Sequence, residues 1–116
     1  MPDRPDYKSH PLWAEAMALT HEAYGVAERI KPRDPEGARL LRRAAVAVPA
    51  RVAGALSADD GLERATEASG ARAALSEVAQ RAANASASSE SAALARHAGM
   101  LSRSVALALA PEQRPS

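Results

Sequence analysis

Apolar residues recur every three or four positions along most of the chain, and no stretch alternates with period two. That spacing predicts amphipathic helices and no strands. In the first segment, Pro11 to Ile30, Trp13, Met17, Thr20, Tyr24 and Ala27 share one face. Leu12, Leu19 and Val26 repeat every seven residues on another. A helix with two apolar stripes needs two surfaces to bury them. Ser9, two residues before Pro11, offers a start signal, and "KPRDPEG" with its two prolines offers a stop.

The second segment starts near Asp34 or Pro35, a capping residue followed by a proline suited to the first helical position. Leu41, Ala45, Val48, Val52 and Ala55 make its stripe, which passes Pro49 without a change of phase. An interior proline removes one backbone hydrogen bond and clashes with the preceding turn, at a cost of about 3 kcal/mol. The unbroken phase predicts one kinked or bulged helix, not two. "LSADDG" ends it, with Ser57 and two aspartates as caps for the next.

The third segment, about 60 to 83, places Leu62, Ala65, Ser69, Leu75, Ala79 and Ala82 roughly in phase. Glu77 and Arg81 are an i,i+4 pair in the favourable order. "NASASSES", from Asn84 to Ser91, reads as a low-complexity linker. The fourth segment, about 90 to 110, has Leu94, Ala98, Leu101, Val105 and Ala108 as its stripe, flanked by Met100 and Leu107. Four helices with short connections predict an all-α fold: an up-down-up-down antiparallel four-helix bundle with a proline-kinked second helix. It would occupy residues 11–110, between a disordered tail at 1–10 and a second tail at 111–116.

Composition makes that bundle thin. Leucine, valine, isoleucine and phenylalanine together number 18 of 116 residues, and alanine supplies much of the remaining apolar content. At about 25 cal/mol per Å² of buried apolar surface, an alanine-rich bundle of this size is marginal alone. Burying more surface between subunits is the usual remedy. Leu12, Leu19 and Val26 on helix one and Met100 and Leu107 on helix four, all off the main stripes, are the expected oligomer contacts.

The formal net charge is +1, cysteine is absent, no apolar run is long enough to span a membrane, and the start is polar and proline-broken. These features predict a cytoplasmic protein without a disulfide framework or thiolate metal site. His10, His21 and His97 are scattered, with no ligand spacing between them. No glycine-rich phosphate loop or serine elbow occurs. The expectation is therefore a non-enzyme with no catalytic, cofactor or metal residues, no cofactor and no small-molecule substrate. The one charged feature is a run of Arg29, Lys31, Arg33, Arg39, Arg42, Arg43 and Arg51 against only Asp34 and Glu36. Arg39, Arg42, Arg43 and Arg51 are the candidates for contacting nucleic acid or another partner. The plainer reading is a solvated face paired with Asp59, Asp60, Glu63 and Glu67 on helix three.

The stretch "LLRRAAVAVPARVAGALS" resembles helix two of the bacterial four helix bundle protein family, also called the 23S rRNA intervening-sequence protein family. Paired basic residues, an Ala-Ala-Val run and a proline come in the family's order. "LWAEAMALTHEAYGVAERI" is similar to the family's first helix, Glu77 fits its helix-three glutamate, and helix four matches by pattern. The resemblance implies a proline carried inside helix two and a homopentameric ring. It also implies kinship with accessory subunits of diversity-generating retroelements, which bind a reverse transcriptase and nucleic acid. Two positions depart from the pattern: Arg51 stands where asparagine is usual, and Gly54 where glutamate is usual. The expected role is thus a homo-oligomeric scaffold or adaptor. The alternative is a nucleic-acid-binding accessory protein that uses the basic surface of helix two.

Overall fold

A computed structural model describes residues 6–85 and 88–109. Within them the chain forms four long helices: α1 (Pro11–Ile30), α2 (Pro35–Ser57), α3 (Gly61–Ala85) and α4 (Ser89–Leu109). No strand occurs among the described residues. The connections are short, so consecutive helices reverse direction and pack side by side. α2 packs extensively on both α1 and α3, and α3 on α4. α1 and α4 close the ring with the sparsest contact of any neighbouring pair.

Local chemistry fixes the helix starts. Asp34 caps α2 by accepting the Gly37 amide at 2.9 Å, with Pro35 in the first turn. Asp60 accepts the Glu63 amide at 2.7 Å ahead of α3. The Ser88 hydroxyl accepts the Ser91 amide at 3.1 Å and starts α4 inside the expected linker. α1 differs from expectation. Its cap is His10, whose Nδ1 accepts the Leu12 amide at 3.1 Å, while the Ser9 hydroxyl donates to the Asp6 carbonyl.

The stretch expected as a disordered N-terminal tail is partly ordered. Tyr7–Ser9 form a single 3-10 turn, and the Tyr7 ring meets Trp13 edge-on with centroids 5.7 Å apart. The expected tail at 111–116 lies outside the described residues.

Each helix gives one fully buried leucine to the core: Leu19, Leu41, Leu75 and Leu94. Val48, Val52, Val78 and Val105 extend this core along the axis. Each such side chain contributes about 1.5–3 kcal/mol by leaving water. Alanines between them, including Ala16, Ala23, Ala45, Ala71 and Ala98, are also fully buried. Their small size lets the backbones approach closely.

The predicted stripe of α2 is buried throughout. The α4 stripe holds through Leu94, Ala98, Leu101 and Val105, the α3 stripe holds only at Leu75 and Ala82, and the α1 stripe is out of phase. On α1 the leucine repeat is the core: Leu12, Leu19 and Val26 are buried with Ala16, Ala23 and Ile30, whereas Met17 and Tyr24 are exposed. On α3 the buried face is Ala68, Ala71, Leu75, Val78 and Ala82, with Leu62 and Ser69 facing solvent. On α4 Leu109 is buried, and Ala108 is not. Stripes one residue apart differ by about 100° around a helix, so an apolar surface wider than one stripe leaves its own phase open.

Candidate functional site

Pro49 is buried in the interior of α2, and the helix runs continuously through it. Having no N–H, it cannot bond the carbonyl four residues earlier, that of Ala45. The Thr20 hydroxyl of α1 shares its one proton between the Ala16 carbonyl of its own helix, at 2.8 Å, and the Ala45 carbonyl, at 3.2 Å. A threonine on the neighbouring helix thus partly fills the gap in the α2 ladder. Thr20 belongs to the wrong stripe to be core and lies where α1 faces α2, as this bond requires.

The four candidate arginines have different fates. Arg39 is held by Glu36 one turn earlier, through two hydrogen bonds of 2.8 and 2.7 Å. Arg51 reaches across to Glu67 on α3, with Nη1 donating to Oε1 at 3.2 Å. Half-buried Arg42 and exposed Arg43 have no hydrogen-bond or ion-pair partner among the described residues. The expected pairing of this face with α3 acids holds at Arg51 and Glu67. Elsewhere Arg29 pairs with Glu90 of α4 at 3.0 Å.

Arg51 and Gly54 are coupled in the structure. A Cβ on Gly54 would lie 2.8 Å from the Glu67 carboxyl carbon, so glycine opens the space in which Glu67 sits. A Cβ on Gly70 would lie 3.2 Å from Cδ of Arg51, so α3 returns the same accommodation. Two glycines let one ion pair lie flat between α2 and α3.

Of the expected oligomer contacts, Leu12, Leu19 and Val26 are used within the single chain and cannot also cover a partner. Met100 and Leu107 are exposed, at 58% and 87%. Met17 and Tyr24 join them from α1, one turn to either side of Thr20, and Val46 from α2, next to Ala45. The Thr20–Ala45 bond sets the register, so Met17, Tyr24 and Val46 flank one stretch of the α1–α2 boundary. Arg42 and Arg43 lie one turn before Val46 on α2.

One cluster escaped sequence reasoning. His97 on α4 sits between two carboxylates of α1, with Nδ1 2.7 Å from Glu22 and Nε2 3.0 Å from Glu15. Partial burial alone would lower the pKa of the ring. The hydrogen bonds to Glu22 and Glu15, together with their charges, outweigh that and raise it above the ordinary histidine value of 6.5. The only sequence trace is the seven-residue spacing of Glu15 and Glu22, which places both on one side of α1. The carboxylates take opposite edges of the ring and do not converge on a point. Among the described residues no cluster of His, Asp and Glu side chains is arranged to hold a metal ion, and no helix is long and apolar enough to cross a membrane. Compared with known proteins, the chain matches no family model, no curated protein and no solved structure.

Proposed function

We propose that the protein is a non-enzymatic four-helix-bundle scaffold that associates with copies of itself and presents a composite surface to a partner. The exposed large apolar side chains support this reading most: Met17, Tyr24 and Val46 about the α1–α2 boundary, and Met100 and Leu107 on α4. Grouped apolar exposure of this kind usually marks an interaction surface. The alanine-rich core gives the lone chain a second reason to associate. The family resemblance adds the expectation of five subunits in a closed ring with head-to-tail contacts. Gel filtration with light scattering tests it at micromolar concentration, where a multiple of the 12.1 kDa chain mass is expected. A dimer would keep self-association and remove the pentamer; a monomer would overturn the reading.

A second reading, nucleic-acid binding, draws its support from Arg42 and Arg43, whose charges are unanswered among the described residues. Binding of labelled RNA or DNA should then weaken with salt, with a log–log slope of about −0.9 for each phosphate contact on duplex DNA. Replacing Arg42 and Arg43 together with alanine should remove most of the affinity. Replacing Arg39 and Arg51 should remove less, because each already faces a carboxylate. Equal losses from the two double variants would argue against this assignment, and no binding at low salt would end the reading.

A further inference from the structure

We propose that the α1–α4 seam is a proton-dependent latch, closed while the His97 imidazolium spans Glu15 and Glu22 and released when that ring loses its proton. The argument starts from donor arithmetic. A neutral imidazole has one N–H and one acceptor nitrogen, whereas the imidazolium has two N–H donors. Both ring nitrogens of His97 lie within hydrogen-bond distance of a carboxylate oxygen, at 2.7 and 3.0 Å. Two ionised carboxylates accept and cannot donate, so only the cation satisfies both contacts at once. Loss of the proton leaves a lone pair facing a carboxylate oxygen, and one contact has to open.

The location gives that event a consequence. This is the sparsest of the four helix boundaries, and the bridge joins α4 to two turns of α1 at once. Beside it runs an open groove of about 370 Å³, lined by Leu12, Met100, Leu101 and Ser104 as well as Glu15 and His97. Releasing the ring therefore loosens the cover over Leu12 and Leu101, which are buried in the closed bundle.

Among the described residues, no other ion pair or hydrogen bond from a charged side chain reaches His97. From α1, Glu15 and Glu22 face the ring, and Arg29 lies further along the seam, paired with Glu90 of α4. Arg96, next to His97 in sequence, projects about 100° away around α4 and lines a groove with Ala82 and Ala83 of α3. From α3, Arg72 approaches Ser102 of α4. α2 touches α4 only slightly and brings none of its paired charges there, since Arg39 is tied to Glu36 and Arg51 to Glu67. The Arg29–Glu90 pair crosses the same seam and serves as an internal reference for it.

The sign follows from linkage. A folded-state pKa raised above 6.5 means that the stabilisation is complete below 6.5 and is lost as pH rises through the folded value. The test uses the full chain. Proton NMR of the His97 ring gives its folded pKa. Amide hydrogen exchange, corrected for the intrinsic effect of pH, gives the opening constant of each helix. The α4 opening constant should rise between two plateaus as His97 titrates, while α2 and α3 change less. Opening that fully frees His97 should raise the constant tenfold for each pH unit by which the folded pKa exceeds 6.5. In His97→Gln the rise should vanish. In the Glu15→Gln, Glu22→Gln variant, which leaves the ring in place should the first variant fold poorly, the His97 pKa should fall. A His97 pKa at or below 6.5, an α4 opening constant flat across the titration, or equal loss of protection in all four helices would each overturn the latch.

Discussion

Thr20→Val is expected to destabilise the bundle by about 1–3 kcal/mol, the usual cost of leaving a buried polar group unpaired. Most of that loss should disappear in the Thr20→Val, Pro49→Ala double variant. The shape of residue 20 is nearly kept and only the hydroxyl is lost. In the presence of Pro49 that hydroxyl is the donor the Ala45 carbonyl receives at 3.2 Å, in a stretch where Ala45, Val48 and Pro49 are all buried. An alanine at 49 restores an N–H in register with Ala45 and makes the hydroxyl redundant. Pro49→Ala also alters packing, so its own effect on stability carries no sign. The cycle isolates the coupling between the two positions. Urea melts of the four proteins measure it. If the Thr20→Val losses are equal with proline and with alanine at 49, the hydroxyl does not serve the proline.

That coupling shows why some of the molecule was legible in the sequence and some was not. The ends of α2 were readable because Asp34, Pro35 and the spacing through Pro49 act within a few residues of one another. Continuity of the helix past the proline followed from phase alone. The donor that makes this continuity affordable sits 25 positions away on α1, and a threonine in an apolar stripe gives no sign of its acceptor. His97 is a stronger instance, since its partners are 75 and 82 positions distant. Only the bundle topology brings them together.

The arginine face divides the same way. Arg39 and Glu36 are three residues apart and their pairing is local. Arg51 and Glu67 belong to different helices, and their contact depends on glycines at 54 and 70 that look like weaknesses in a helix when read alone. In the structure they are the places where side chains from the facing helix fit. The α3 face is only partly legible for a related reason. Its core positions are mostly alanine, with Leu75 and Val78 the larger ones, so the pattern holds at Leu75 but includes Leu62, which faces solvent, and omits Val78.

Leu19→Ala is expected to lower stability by about 2–5 kcal/mol, and Leu107→Ser to leave stability within about 0.5 kcal/mol while weakening self-association. The contrast decides the phase of α1. Leu19, expected at a subunit contact, lies fully buried in the same core as Leu41, Leu75 and Leu94. Truncating it removes one of the four fully buried leucines of a core otherwise rich in alanine, whose short side chains cannot swing in to fill a cavity. A domain of this size holds only about 5–15 kcal/mol in total, so a thin core will show the loss as a large drop in urea midpoint at every protein concentration. Leu107 is 87% exposed and touches little in the single chain, so its replacement should leave a melt of the dissociated chain almost unmoved. Its effect should appear in the mass measured by light scattering on dilution, together with that of Met100→Ser on the same face of α4. A Leu19→Ala protein that melts like the wild type but dissociates on dilution would return Leu12, Leu19 and Val26 to a subunit contact and would require α1 to be turned about its axis.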